Sequence, residues 1–209
     1  LGLYLTRQTI SRIEMMRKLY ESIIDVTGVI MEFGVRWGQN MALFQNLRGI
    51  YEPYNYNRQI IGFDTFSGIP SIDKKDGAKV EKDGYSVPDD WDRKLDQILR
   101  FHNDNSPISH KKKYELVKGD ATITISEYLS NNPQTIIALA YFDVDLYKPT
   151  KDCLLAIKPY LTKGSVIGFD EPNSYFPGET IAMREVFGST KYKLYTSKFS
   201  AGSGYLIIE

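Results

Sequence analysis

The sequence predicts an α/β fold in which helices cover both faces of a mostly parallel sheet. Several short, mainly apolar runs carry an acidic residue at their ends, and they lie at residues 29–34, 59–64, 114–120, 136–143 and 165–171. Runs that are apolar without alternation are typical of strands buried on both faces of a parallel sheet. Stretches with helical spacing separate the runs, and this alternation of strand and helix indicates βαβ units.

A helix is predicted before the first strand, over residues 9–26, because apolar side chains recur there at helical spacing. Ser11 followed by Glu14 has the pattern of a capping box, which predicts the start of this helix. Further helices are predicted between the runs, at residues 39–47, 92–101, 123–129, 150–160 and 179–187.

The end of the chain departs from this alternation. Residues 192–196 and 205–208 have the composition of strands, but the segment between them is too short for the crossover that joins parallel strands. We therefore expect these two strands to pair antiparallel, so that the sheet ends in a reversed strand.

Residues 71–92 form a long stretch that fits neither a strand nor a helix, because they are mostly charged and polar. Long loops in compact domains tend to be functional lids or disordered segments. We predict a lid-like loop within one domain spanning residues 1–209, since a chain of 209 residues holds one substantial core.

Composition narrows the classes of partner. The chain has 26 basic and 26 acidic residues, so it presents no net charge that would attract nucleic acid or an anionic membrane. No apolar run approaches the roughly 20 residues needed to span a bilayer, and the N-terminus lacks the pattern of a signal peptide. Cys153 is the single cysteine and is expected in the core. These features predict a cytoplasmic protein without nucleic-acid or membrane partners.

The acidic residues at the strand ends are the strongest functional signal in the sequence. Parallel strands would deliver Glu32, Asp64, Asp120, Asp143 and Asp170 to one edge of the sheet, where ligands of open α/β folds bind. Any one of these acids, taken alone, is explained as well by a cap on the following helix. Together they predict a site for hydroxyl and amino donors rather than for phosphate, which clustered carboxylates repel.

The turn after the first strand indicates the kind of ligand. Residues 32–38 lack the glycine spacing of dinucleotide-binding proteins, so a bound pyrophosphate is not supported. Gly34 still permits a sharp turn and close approach of a ligand, and Asp64 is placed to accept hydrogen bonds from a ribose diol. These residues favour a nucleoside-type ligand without a pyrophosphate.

Five motifs give the sequence a resemblance to a known family. They lie at residues 32–35, 62–70, 143–150, 164–170 and 177–187. Over residues 15–209 the chain resembles the macrocin O-methyltransferases, which methylate sugar hydroxyls on macrolides and related natural products. The resemblance implies a Rossmann-like, seven-stranded methyltransferase sheet with an antiparallel last strand. It also implies S-adenosylmethionine as cofactor and a small-molecule or saccharide acceptor.

The same resemblance implies which residues hold the cofactor and a metal ion. Those expected around S-adenosylmethionine are Glu32, Phe33, Gly34, Gly38, Asn40, Asp64, Thr65, Ser67, Asp120, Ala121 and Asp143. Asp143, Asp170 and Glu171 would bind Mg²⁺, with Asp145 as an alternative ligand, and Asp143 is also the predicted catalytic residue. Carboxylates suit this hard cation, which would lower the pKa of an acceptor hydroxyl. The alternative is that Asp143 and Asp145 only orient the turn that follows them.

Two other functions stay open at this point, a metal-dependent hydroxylase on the same scaffold and a non-catalytic protein that binds S-adenosylmethionine or a nucleotide. The first is disfavoured because neither histidine lies at a strand end. The second is disfavoured because converging acids are unfavourable without a cation. Candidates for closing over the acceptor are Tyr85, Trp91, Tyr175 and Phe176. A homodimer is a further expectation.

Overall fold

The structure is a computed structural model that describes residues 2–69, 72–77, 85–172, 175–200 and 202–209. The strands are β1 (Val29–Phe33), β2 (Ile60–Asp64), β3 (Tyr114–Lys118), β4 (Ile137–Phe142), β5 (Leu161–Phe169), β6 (Tyr195–Thr196) and β7 (Gly204–Ile207). The α-helices are α1 (Arg7–Glu21), α2 (Gln39–Tyr51), α3 (Trp91–Asp104), α4 (Ala121–Asn131), α5 (Tyr147–Ile157) and α6 (Pro177–Phe187).

The seven strands form one sheet in the order β3-β2-β1-β4-β5-β7-β6. The first five positions in this order pair in parallel, and β7 pairs antiparallel with both β5 and β6. The predicted fold class and the reversed last strand are therefore confirmed. The chain order reverses between β1 and β4, and ligands of open α/β sheets bind in the crevice that such a reversal opens.

The boundaries predicted for the first helix and for the strand over residues 192–196 are wrong. The first helix begins at Arg7, where the hydroxyl of Thr6 accepts a hydrogen bond from the Thr9 amide at 3.3 Å, so the pair Ser11 and Glu14 lies inside the helix and caps nothing. This helix ends at Glu21 rather than at residue 26. The strand predicted over residues 192–196 is reduced to two residues at the edge of the sheet, where it has a partner on one side only.

The helices divide between the two faces of the sheet. One apolar cluster packs α1, α2 and α3 against the first face, and a second packs α4, α5 and α6 against the other. Neighbouring strand residues such as Ile30 and Met31 belong to different clusters, as the alternation of side chains along a strand requires. Cys153 is 1% exposed within the second cluster, in agreement with its predicted place in the core.

A row of phenylalanines crosses the sheet at the carboxyl ends of four neighbouring strands. Phe33 is in register with Phe63 and Phe142, and Phe142 is in register with Phe169. Their rings stack with centroid distances of 5.0, 4.7 and 5.7 Å. Stacked, fully buried rings hold the ends of these strands in place. Three of the four phenylalanines are followed directly by an acid, namely Asp64, Asp143 or Asp170, and Phe33 is followed by Gly34.

A buried ion pair ties the first helix to the sheet. Arg58, which is 2% exposed, donates from Nε to Glu52 at 2.9 Å and from its terminal nitrogens to the carbonyl oxygens of Gly28 and Ile23. Glu52 also accepts the hydroxyl of Tyr20 at 2.5 Å. The guanidinium thus links the end of α1, the turn into β1 and the loop before β2.

No helix in the described ranges is long and apolar enough to cross a bilayer.

Replacing Arg58 tests how much this link contributes to stability. Arg58→Met leaves the carboxylate of Glu52 buried without its cation, and losing one partner of a buried pair costs about 3–5 kcal/mol. We expect urea denaturation to show a loss of that size. Arg100→Met is the matched control, because this arginine is 76% exposed and its removal should leave the midpoint unchanged. Equal midpoints for the two variants would show that the buried link contributes nothing.

Candidate functional site

A cavity of about 750 Å³ lies at the carboxyl edge of the sheet, over the crevice between β1 and β4. Loops that follow β1, β2, β3, β4 and β5 supply most of its wall. The predicted site residues that line it are Gly34, Asn40, Asp64, Thr65, Asp120, Ala121, Asp143, Asp170 and Glu171. The structure therefore brings acids from four strand ends to one space, as the parallel topology led us to expect.

Four predicted cofactor residues are not on the cavity wall: Glu32, Phe33, Gly38 and Ser67. Phe33 belongs to the phenylalanine row, and Ser67 is exposed in a turn. Gly38 precedes α2 with φ 82°, and a side chain there would collide with Leu95. Phe33 therefore packs within the sheet, and Gly38 and Ser67 lie in turns, so these three residues do not face the cavity.

Glu32 lies behind the wall. It is fully buried, and its Oε1 accepts a hydrogen bond from Nδ2 of Asn40 at 2.9 Å, while Asn40 itself lines the cavity. Burial raises the pKa of Glu32 well above its usual range. Its contact with the cavity therefore runs through the side chain of Asn40.

Gly34 allows the loops after β1 and β4 to touch. Its φ is 89°, a conformation that side chains disfavour, and a Cβ atom there would collide with the carbonyl oxygen of Asp143. The close approach of these two loops forms the floor of the crevice, which explains why a glycine follows the first strand.

Asp64 organises two turns at the edge of the cavity. Its Oδ2 accepts from the amide of Arg36 at 2.7 Å, and its Oδ1 accepts from the amide of Phe66 at 2.6 Å. Arg36 and Phe66 both have positive φ values, 48° and 57°, so these bonds stabilise unusual backbone. Each carboxylate oxygen has a second lone pair, so the predicted contact with a diol is compatible with this role.

Four carboxylates converge on the side of the cavity below β4 and β5: Asp143, Asp145, Asp170 and Glu171. Burial and the neighbouring Asp170 raise the pKa of Asp143 to about 8. Burial and the negative charge of Glu171 raise the pKa of Asp145 to about 6. These shifts show that the site favours a neutral group or an added cation over a cluster of bare carboxylates.

Arg12 supplies a cation to this cluster from α1. Its Nη1 donates to the hydroxyl of Tyr141 at 2.9 Å and forms an ion pair with Asp170, and its Nη2 lies 3.6 Å from Oδ2 of Asp143. The hydroxyl of Tyr141 donates to Asp170 at 2.7 Å. Arg12 is not among the residues predicted from the sequence. The available signal was a charged side chain on the helical stripe that it shares with the buried Met15, Met16 and Leu19.

The segment predicted to form a lid is described only in part, since residues 71 and 78–84 lie outside the described residues. Tyr85 lines the cavity, with the guanidinium carbon of Arg36 4.7 Å from its ring centroid. Phe176 also lines the cavity, whereas Tyr175 is 80% exposed. Trp91 begins α3 and packs edge-on against Trp37. Two of the four aromatic residues predicted to close over an acceptor thus face the cavity.

Comparison with known proteins shows which family the chain belongs to. The sequence profile of the macrocin O-methyltransferases matches residues 5–185. The chain belongs to the macrocin O-methyltransferase family. No curated protein sequence matches the chain at a significant level. The predicted resemblance is confirmed, and with it the class of enzyme, which transfers a methyl group from S-adenosylmethionine to oxygen.

Solved structures agree with this family. A crystal structure of CalS11, described as a calicheamicin methyltransferase, is 44% identical with a TM-score of 0.96, and the match covers 99% of this chain and 82% of that one. An apo structure of CalS11 is 43% identical with a TM-score of 0.87 and coverages of 99% and 83%. The O-methyltransferase NovP, at 20% identity, TM-score 0.70 and coverages of 95% and 80%, supports the fold alone. None of these similarities supports a hydroxylase or a non-catalytic binding protein.

The carboxylate cluster predicts a stabilising substitution. Asp143→Asn removes a carboxyl group whose ionised form is disfavoured by its surroundings and by the neighbouring acids, so the unfolding midpoint of the metal-free protein at neutral pH should rise by about 2–4 °C, or about 1 kcal/mol. Asp120→Asn is the matched control, because Asp120 lines the same cavity but caps α4 by accepting from the Thr122 amide at 2.9 Å, which asparagine can also do. A lower midpoint for Asp143→Asn in thermal melts would contradict repulsion within the cluster.

Proposed function

We propose that this methyltransferase acts on a hydroxyl group of a sugar, either on a nucleotide-linked sugar or on a glycosylated metabolite, and that Mg²⁺ assists it. The observation that carries the proposal is the half-buried carboxylate cluster facing the same cavity as Asp64. CalS11 supports the choice of acceptor, since its apo structure is described as that of a TDP-rhamnose 3′-O-methyltransferase.

S-adenosylmethionine would occupy the part of the cavity above β1, β2 and β3. Gly34 and Asn40 would contact its methionine part, Asp64 its ribose hydroxyls, and Asp120 with Ala121 its adenine. Asp143 lies between this region and the carboxylate cluster. The remaining predicted residues would act from behind, Glu32 by orienting Asn40, Phe33 by holding the strand end, and Gly38 and Ser67 by shaping turns. When bound, the cofactor supplies a methyl group made electrophilic by its sulfonium.

The donor chemistry of the cluster fits Mg²⁺, a hard cation that prefers carboxylate oxygens. Among the described residues, no three acids stand close enough together to hold a metal ion as they are. Arg12 pairs with Asp143 and Asp170 instead. We propose that Asp143, Asp170 and Glu171 bind the ion once Arg12 gives way, with Asp145 as an alternative ligand. A bound Mg²⁺ would lower the pKa of the acceptor hydroxyl.

The acceptor would lie beside this cluster. Tyr85 and Phe176 line the cavity and can stack on a sugar face, while Arg36 adds a cation to its wall. Asp143, the predicted catalytic residue, would orient the acceptor hydroxyl toward the methyl group, and such positioning contributes roughly 7–11 kcal/mol in well-oriented reactions. The single domain over residues 1–209, the homodimer and the cytoplasmic location stay predictions.

Titration calorimetry with S-adenosylmethionine and S-adenosylhomocysteine tests the cofactor site. Asp64→Ala removes a charged acceptor of the ribose hydroxyls, and a hydrogen bond to a charged group contributes about 1.5–3 kcal/mol. We therefore expect affinity to fall by about 10- to 100-fold. Asp25→Ala, at an exposed acid away from the cavity, is the control and should bind as the wild type does. Equal affinities for the two variants would remove Asp64 from the site.

Turnover with a panel of nucleotide-linked sugars tests the acceptor and the metal together. Asp170→Asn removes a proposed metal ligand that is not itself among the predicted cofactor residues. It should lower turnover by about 100-fold or more, as loss of one charge-stabilising group does in other enzymes, while the dissociation constant for S-adenosylmethionine stays unchanged. Undiminished turnover in EDTA would contradict the role of Mg²⁺, and transfer only to acceptors without a sugar would contradict the proposed substrate class.

A further inference from the structure

Asp76 is buried although it belongs to the charged segment predicted as a lid. It ends the short 3₁₀ turn Lys74–Asp76 and is only 1% exposed. Its two carboxylate oxygens accept from the backbone amide of Tyr147 at 2.5 Å and from that of Asp73 at 2.6 Å. Asp73 is only three residues from Asp76, whereas Tyr147 is distant in sequence and follows the turn that carries Asp143 and Asp145.

Tyr147 is the first residue of α5, and the N-cap of this helix is Leu146, whose side chain offers no acceptor. The helix therefore takes its capping carboxylate from Asp76, 71 positions earlier in the chain. A carboxylate at this place satisfies a free amide and interacts favourably with the helix dipole. Residues 72–77 and the start of α5 are thus joined through the side chain of Asp76.

Glu179 holds the preceding part of the same turn. It is buried on α6, and its Oε1 accepts from the amides of Val144 at 3.1 Å and Asp145 at 3.2 Å. Asp145 has φ 60°, a strained conformation for a residue with a side chain, and persists because the surrounding bonds fix it. The carboxylates of Asp76 and Glu179 together accept hydrogen bonds from three backbone amides in the residues after Asp143.

Gly178 packs closely against this arrangement. A Cβ atom on Gly178 would lie 2.5 Å from the Tyr147 nitrogen, 2.7 Å from Oδ1 of Asp76 and 2.9 Å from the Asp145 carbonyl oxygen. On the surface, Lys75 pairs with Glu185 at 2.8 Å and lies 4.0 Å from the centroid of the Tyr147 ring. The 72–77 segment is therefore held in place both by the buried carboxylate of Asp76 and by the surface ion pair of Lys75 with Glu185.

We propose that Asp76 is a positioning residue, which couples docking of the 72–77 segment to the placement of Asp143 and Asp145 for methyl transfer. The inference rests on the proposed function only in giving Asp143 and Asp145 a part in the reaction. When the segment docks, Asp76 caps α5 and the turn keeps its strained form. When it is undocked, the amide of Tyr147 loses its acceptor and the turn is free to relax.

Asp76→Asn tests the proposal, because asparagine keeps the size of the side chain but can accept at only one of the two positions. Asp73→Asn is the matched control, since it makes the same charge change three residues away and asparagine keeps the capping role of Asp73 toward Lys75. Single-turnover rates are measured with both substrates saturating and are divided by the number of cofactor sites found by calorimetry. A small misplacement of reacting groups costs up to about 100-fold, so we expect a loss of tenfold or more for Asp76→Asn and none for Asp73→Asn.

Dividing by cofactor sites separates positioning from folding, because a merely structural residue lowers the number of active molecules and leaves the rate per site unchanged. Equal rates per site for the two variants would overturn the proposal. If the wild type binds no S-adenosylmethionine or methylates no acceptor, the proposed function fails instead.

A second pair of variants keeps the test decisive if Asp76→Asn does not fold. Tyr147→Pro removes the amide that Asp76 accepts, at the first position of a helix, where proline is favoured. Tyr147→Ala removes the same ring but keeps the amide. We expect the proline variant to be at least tenfold slower per cofactor site than the alanine variant, and equal rates would again overturn the proposal.

Discussion

Convergence of carboxylates at the edge of a parallel sheet is the constraint to which the rest of this structure responds. The phenylalanine row fixes the ends of four strands, and Asp64, Asp143 and Asp170 follow three of these rings directly. Placing such groups together raises the pKa of Asp143 to about 8, so the cluster needs compensation. Arg12 provides part of it, which makes α1 a component of the site as well as of the core.

The supporting contacts show how the fold keeps these acids in place. The buried carboxylates of Asp76 and Glu179 accept hydrogen bonds from backbone amides. The carboxylate of Asp64 accepts hydrogen bonds from the amides of two residues with positive φ. A turn held by such bonds is pre-organised, so little rearrangement is needed when a substrate enters. The arrangement is unfavourable for stability and useful for chemistry, as is common where acids or strained backbone gather.

The sequence was sufficient for the strands, the reversed end and the acids, because hydrophobic pattern and parallel topology are local or follow from general rules. It was insufficient for Arg12, whose partner Asp170 lies 158 positions away, and for Asp76, which reads as an ordinary residue of a polar loop. The start of α1 was misplaced because Ser11 with Glu14 and Thr6 offer competing caps, and packing decides between them. Long-range pairs of charged groups carry no periodicity that a single sequence could show.

The most direct test of this account is anomalous diffraction from crystals grown with Mn²⁺ and S-adenosylhomocysteine. We expect a Mn²⁺ peak among Asp143, Asp170 and Glu171, with the guanidinium of Arg12 displaced from Asp143. It would be contradicted by crystals in which Arg12 still bridges Asp143 and Asp170 and no Mn²⁺ lies among these carboxylates. That result would make Arg12 the permanent counter-ion of the cluster and would leave methyl transfer to positioning by the protein alone.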